Sequence, residues 1–320
     1  MQDSVFLYNG QILIGSIKGV SLGVLSFDDK DLKIVNVKLY KIKRLRADNN
    51  IFRIETIAND VYYGTIQPSD KNGYISIVTP EKKARIELTA INVLISMDKH
   101  FFKRLNGSVS LGFSYTKSSQ IGQLNLSGQV GYATRHIENE LSVSSLSSID
   151  TSTFSRTNEN VALFSNYNIT PVWFVAGQLN YQRNLELSIK KRWQQIAGGG
   201  KKLIVTKNMT LLAMSGLAFT QETSTDDVNS GLLLEVPLIL RYNFFQFQHP
   251  NLQISANQTT YFGITQSGRI RMDLNTSFSW ELVRYFYLTM SPYMSFDNRP
   301  PVGTASNVDY GLVFGISYKF

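Results

Sequence analysis

From Leu105 to the last residue, apolar and polar side chains alternate with a period of two. SVSLGFSY puts Val109, Leu111, Phe113 and Tyr115 on one face and Ser108, Ser110, Gly112 and Ser114 on the other. GRIRMDLNTSFSWE repeats the pattern, with Ile270, Met272, Leu274, Phe278 and Trp280 opposite Arg271, Asp273, Asn275, Ser277, Ser279 and Glu281. A period of two is the mark of a strand with one apolar and one polar face. Turn-rich breaks divide the region into twelve such segments: 105–117, 120–133, 137–147, 158–168, 172–182, 186–204, 209–222, 229–244, 250–263, 268–281, 284–297 and 306–320.

Segment length decides what the apolar face meets. Sandwich strands run to about five or six residues, whereas these reach the roughly nine to eleven that cross a bilayer at a tilt. The polar faces are rich in Ser, Asn, Gln and Gly, as a barrel interior is, and the apolar faces end in aromatics suited to interface girdles. The pattern predicts an all-β chain ending in a twelve-stranded antiparallel transmembrane β-barrel, residues 105–320, in the bacterial outer membrane. An even strand number puts both barrel ends on the periplasmic side, and closure removes the exposed edges of an open sheet. In YGLVFGISYKF, Tyr310, Leu312, Phe314, Ile316, Tyr318 and Phe320 fall on the lipid side and Lys319 on the inner side. A last strand of alternating aromatics with a terminal Phe resembles the signal read by the barrel-assembly machinery, the expected partner in biogenesis. Outer-membrane lipid and lipopolysaccharide are the expected surroundings.

The first hundred residues are built differently. YNGQILIGSI (8–17) and ANDVYYGTI (58–66) each carry a turn pair, a strand and a glycine, with Gly15 matching Gly64. GVLSF (23–27) then matches GYISI (73–77), and LYKIKRL (39–45) matches LTAINVL (88–94). The offset stays at 49 or 50, so a small unit is duplicated. Short strands broken by NG, DD and KNG turns predict two SH3-like or Sm-like β-modules in tandem, residues 1–48 and 49–104. A body of a hundred residues has a radius of gyration of about 13 Å, too wide for a twelve-stranded interior of roughly 10 Å. It is expected to hang beneath the barrel in the periplasm.

Composition adds three constraints. No run of about eighteen apolar residues occurs, so no transmembrane helix is predicted. Cysteine is absent, which excludes disulfides and thiolate metal sites. The start MQDSVFLYNG lacks the regions of a signal peptide and reads as a mature N-terminus. The net charge is +8; residues 1–104 hold 16 Lys+Arg against 11 Asp+Glu, a balance of +5. The densest basic run is KLYKIKRLR, with Lys38, Lys41, Lys43, Arg44 and Arg46. With no nucleic-acid motif beside them, these are candidates for docking an envelope protein or the cell wall.

The downstream region also resembles a known family. The hairpin SLGFSYTKSSQIGQLNLSGQVGY and the close SFDNRPPVGTASNVDYGLVFGISYKF are similar to the YdiY-like salt-induced outer-membrane proteins, a domain-of-unknown-function family. The family's Thr-Ser-Gly-Asn-like turn is TKSSQ here, and its Asn-Pro-Pro carries an inserted Arg299. The resemblance covers about residues 105–320 and implies a β-barrel. It brings no catalytic residues.

Candidate chemistry is sparse. The histidines His100, His136 and His249 fall in the linker and in periplasmic turns, away from the outer rim where a barrel hydrolase needs one. Asp226, Asp227 and Asn229 could gather a cation but lack regular ligand spacing. IAGGGKK (196–202) lacks the Gly-x4-Gly-Lys-Ser/Thr spacing of a phosphate loop, and its glycines suit a bend or bulge. No enzyme, cofactor or metal site is expected. Glu235, Arg241, Arg271, Asp273 and Lys319 project inward, as a selectivity lining or as a salt-bridge network that closes the interior. The expected role is that of an accessory or scaffold subunit whose N-terminal modules dock a partner. The alternative is a narrow channel for small solutes, anionic ones included.

Overall fold

A computed structural model of the chain describes residues 2–80, 82–97, 101–116, 121–149, 154–185, 188–300 and 307–318. His100, Lys319, Phe320 and most of the TKSSQ turn lie outside them. The structure is all-β, in two sheets.

The N-terminal sheet has nine strands: β1 (Asp3–Leu7), β2 (Ile12–Ser21), β3 (Val24–Asp29), β4 (Lys33–Lys38), β5 (Ile42–Thr56), β6 (Val61–Pro68), β7 (Tyr74–Val78), β8 (Lys83–Glu87) and β9 (Ile91–Ser96). The duplication survives in the ladder. Val5 stands opposite Leu13 and Leu45, and Ile54 opposite Tyr62 and Leu94, each residue 49 further on. Short 3-10 turns precede the last strand of each copy, at Leu39–Lys41 and Leu88–Ala90. Gly15 and Gly64 mark equivalent close crossings: an added Cβ would lie 2.0 Å from the Asp28 carbonyl oxygen and 2.3 Å from that of Val78.

The copies are nevertheless not the two separate modules that the repeat suggests. The expected boundary at residues 48 and 49 falls inside β5, which runs through both copies. β9 pairs with β2 as well as β5, so β2, β1, β5 and β9 close a small ring. One core, including Val5, Phe27, Leu45, Phe52, Ile54, Ile77 and Leu94, serves both copies. The reason is physical: a unit of about fifty residues buries too little apolar surface to stand alone, and interlocking the copies makes one core of two.

The second sheet follows the twelve predicted segments: β10 (Leu105–Thr116), β11 (Ile121–Ala133), β12 (Ile137–Ile149), β13 (Phe154–Asn168), β14 (Trp173–Asn184), β15 (Ile189–Val205), β16 (Met209–Ser224), β17 (Asn229–Gln246), β18 (Asn251–Gly263), β19 (Ile270–Val283), β20 (Phe286–Asp297) and β21 (Val308–Tyr318). Each pairs antiparallel with the next. Contacts between distant strands show that the sheet curls into a barrel-like wall. Arg241 of β17 stacks on Phe164 of β13, Tyr261 of β18 bonds Gln194 of β15, and Arg269, just before β19, bonds Glu222 of β16.

Closure is where the structure departs from expectation. Among the described residues β10 pairs only with β11 and β21 only with β20. The inward positions of these edges are Ser108, Ser110, Gly112 and Ser114 on one side and Asp309, Gly311, Val313, Gly315 and Ser317 on the other. Most of these side chains are small, whereas β13–β19 are tied together through the interior.

The outward face is apolar and open. Leu163, Val175, Leu217, Leu238, Leu312 and Ile316 are exposed there. Aromatics bracket them at two levels: Tyr167, Trp173, Trp280 and Tyr318 near the end with short turns, and Tyr115, Trp193, Phe219 and Phe262 near the other. The five assembly-signal residues that are described, Tyr310, Leu312, Phe314, Ile316 and Tyr318, all lie exposed on this face. Within the IAGGGKK stretch, Gly200 makes room for a neighbour: a Cβ there would lie 2.2 Å from the Phe174 ring. The ladder bulge comes just after it, between Lys202 and Ile204.

Candidate functional site

Three inward-facing zones follow one another along the barrel. Toward the end away from the N-terminal body lies a buried charge network, set by the even positions of β15 and β16 and the odd positions of β17 and β19. Glu222 receives Arg192 at 3.0 Å and Arg269 at 3.2 Å, with Arg271 at 3.9 Å. Arg271 also grips Glu235 through two donors, at 2.9 and 2.5 Å, and Arg269 reaches Asp297 at 2.6 Å. Glu222, Glu235, Arg192, Arg269 and Arg271 are all buried, so the charges compensate one another without bulk water. Tyr261 lies under the Arg271 guanidinium and donates to Gln194, and Thr220 donates to Glu235.

Below this network Phe174, Ala176, Ile196, Met214, Ala218, Ile239 and Tyr261 form a buried apolar layer. Charge network and apolar layer together occupy this part of the interior. Below them again, a chamber of about 610 Å³ opens between the barrel wall and the N-terminal body.

The N-terminal body covers the turn end through a specific interface. Arg53, only 1% exposed, donates to the carbonyls of Thr134 and Arg135 at 3.0 Å each. It also pairs with Glu55 at 2.8 Å and with Glu138 across the interface. Lys202 meets Glu55 at 2.9 Å, and Lys207 meets Glu87 at 3.1 Å. Arg135 lies over Tyr63, Lys38 over Phe247, and Phe245 packs against Gly23.

The Glu87 carboxyl is held below its ordinary value by a hydrogen bond from the Thr89 hydroxyl and, against burial, by the Lys207 ammonium. A depressed carboxyl contributes stability that is complete above the unfolded value and is lost as pH falls through the folded one. The Lys207 share is that of a half-exposed pair, about 0.5 kcal/mol. On acidification the thermal midpoint of Lys207→Gln is therefore expected to fall by about 1 °C less than that of the wild type, followed by circular dichroism. Equal falls would exclude the pair as the cause.

Of the residues singled out in the sequence, Glu235 and Arg271 are brought together as a buried pair. Asp273 stands two positions along and accepts from Ser295 at 2.6 Å. Arg241 faces the chamber instead. Among the basic residues Lys38 turns toward the barrel, Arg44 bonds Asn72, Arg46 pairs with Asp48, and Lys41 is exposed. His136 packs on the Tyr167 ring in a turn, and His249 lies in the turn after β17. Asp227 pairs with Lys190 at 2.5 Å. Among the described residues no group of three or more His, Asp or Glu could hold a metal ion. The sequence reading missed Glu222, Arg192 and Arg269, although Glu222 and Arg192 occupy inward positions of segments it drew correctly. Arg53 carried no signal, because its partners come from turns some eighty residues away.

A family profile described as "Protein of unknown function, DUF481" matches residues 108–320, the twelve-stranded part. Comparison with curated proteins gives no match. Among solved structures, a NanC porin in a rhombohedral crystal form is 11% identical with a TM-score of 0.36, covering 68% of this chain and 98% of that one. Pseudomonas aeruginosa OccK11 (OpdR) is 10% identical with a TM-score of 0.28, covering 84% and 90%. At these scores neither likeness bears on what the chain does.

Proposed function

The chain belongs to the DUF481 family of proteins of unknown function, and we propose that it is an outer-membrane β-barrel serving as an accessory or scaffold subunit of an envelope assembly. The membrane reading rests on the exposed apolar band between two aromatic levels. On β14 the aromatics Trp173 and Tyr181 are eight residues apart, about 26 Å along the strand and roughly 20 Å along a tilted barrel axis. That approaches the apolar height of about 25 Å in outer-membrane barrels. Hydrocarbon solvates no free N–H or C=O groups, so a bilayer drives the β10 and β21 edges together.

The buried network around Glu222 carries the scaffold reading. A solute path would have to part at least five ion pairs and the apolar layer, which speaks against steady conduction. Function then resides on the surface of the N-terminal body, in the periplasm, where Lys41, Lys43, Arg44 and Arg46 present a basic stripe to an envelope protein or the cell wall. Reversing Lys41, Lys43 and Arg44 to Glu in the full chain is expected to cut cross-linked capture from native membranes at least tenfold, with gel mobility in cold detergent unchanged. Capture at the wild-type level would remove the docking assignment.

The chamber favours a second reading, a narrow channel for small solutes that opens only when the network rearranges.

A further inference from the structure

The chamber between the N-terminal body and the barrel contains two charges that the fold leaves unused. Arg241 reaches in from β17 and lays its guanidinium on the Phe164 ring, 4.5 Å from the centroid. Stacking occupies the face of the guanidinium and leaves its in-plane N–H donors, the fork that matches a carboxylate. Glu140 stands on β12 directly opposite Phe164 in the ladder, also pointing inward. Among the described residues Arg241 has no anionic partner and Glu140 no cationic one. Other ions lining the chamber are taken: Lys202 by Glu55, Glu138 by Arg53 and Lys18 by Asp28, while Arg104 donates to the Tyr132 hydroxyl. The chamber is also lined by amides, among them Asn106, Gln129 and Asn166. Its volume of about 610 Å³ lies within the range of small-molecule sites, roughly 300–1,000 Å³.

A cation stacked on an aromatic ring and an anion on the neighbouring strand beside it, neither in an ion pair, define a ligand class. We infer that the chamber binds a small polar zwitterion of the amino-acid type, its carboxylate on the Arg241 fork, its ammonium on Glu140 and its polar remainder on the surrounding amides. An anion alone would leave Glu140 unpaired and close to the ligand, and a cation alone would do the same to Arg241. The site is independent of the scaffold role, because it needs neither conduction nor a protein partner.

Equilibrium dialysis of the full chain in detergent with labelled L-glutamine tests this, with acetate and methylamine as single-charge competitors. Folding of each variant is checked by its mobility in cold detergent. The expected result is saturable binding, with Arg241→Gln and Glu140→Gln each weakening it at least tenfold and neither competitor displacing it at tenfold excess. The sign of the Glu140→Gln effect is decisive, since an anion site would tighten when that carboxylate is neutralised. Tighter or unchanged binding in Glu140→Gln, displacement by acetate or methylamine, or no saturable binding would each overturn the assignment.

Discussion

Glu222→Gln is expected to destabilise the barrel by about 3–5 kcal/mol, the scale for breaking a buried charge pair from one side. Three guanidiniums converge on this carboxylate. Without its charge, Arg192 retains only the Gln182 amide at 2.9 Å as a side-chain partner beyond the new glutamine, while Arg269 and Arg271 retain Asp297 and Glu235. The measurement is the temperature at which the cold-detergent form converts to the unfolded mobility, which should drop by many degrees. Glu159→Gln is the control. Its partner Arg156 is half exposed, so its loss is worth about 0–1 kcal/mol. A second charge removal, Arg192→Gln on the Glu222→Gln background, should recover part of the loss, because the two effects share one network. Full additivity would deny that the network acts as a unit.

Arg53→Met is the counterpart at the interface. The methionine fills much of the same volume, but it leaves the Thr134 and Arg135 carbonyls without this donor and Glu138 without its cation. Glu55 keeps Lys202, and Glu138 keeps only the Asn168 amide. Docking of the N-terminal body should weaken by about 3–5 kcal/mol. Limited proteolysis reads this as cleavage between the two bodies more than a hundredfold faster at equal protease, with both bodies still folded. Adding Glu138→Leu should restore part of the resistance by removing the stranded charge. Cleavage at the wild-type rate in Arg53→Met would show that the apolar contacts of Phe245 and Phe247 hold the body without it.

The strands were readable because period-two alternation is local. Each of the twelve segments reports its own two faces, and Val109 to Tyr115 or Ile270 to Trp280 need no knowledge of their neighbours. Inward residues followed from the same rule, which is why Glu235 and Arg271 could be named. Their pairing could not, because it depends on how far β17 and β19 curl toward each other. The duplication was equally plain in Gly15 and Gly64, but its consequence was not. A 49-residue offset is the same whether the copies stand apart or share β5, and only the ladder from β9 to β2 decides. The interface at Arg53 was hidden for a third reason: its acceptors are backbone carbonyls, which no sequence pattern marks.

Single-channel recording of the full chain in planar bilayers tests whether the barrel is shut across its interior. A silent wild type is expected, because the charge network and the apolar layer beneath it both lie across the interior. Stable, discrete conductance steps from the wild-type chain would contradict it.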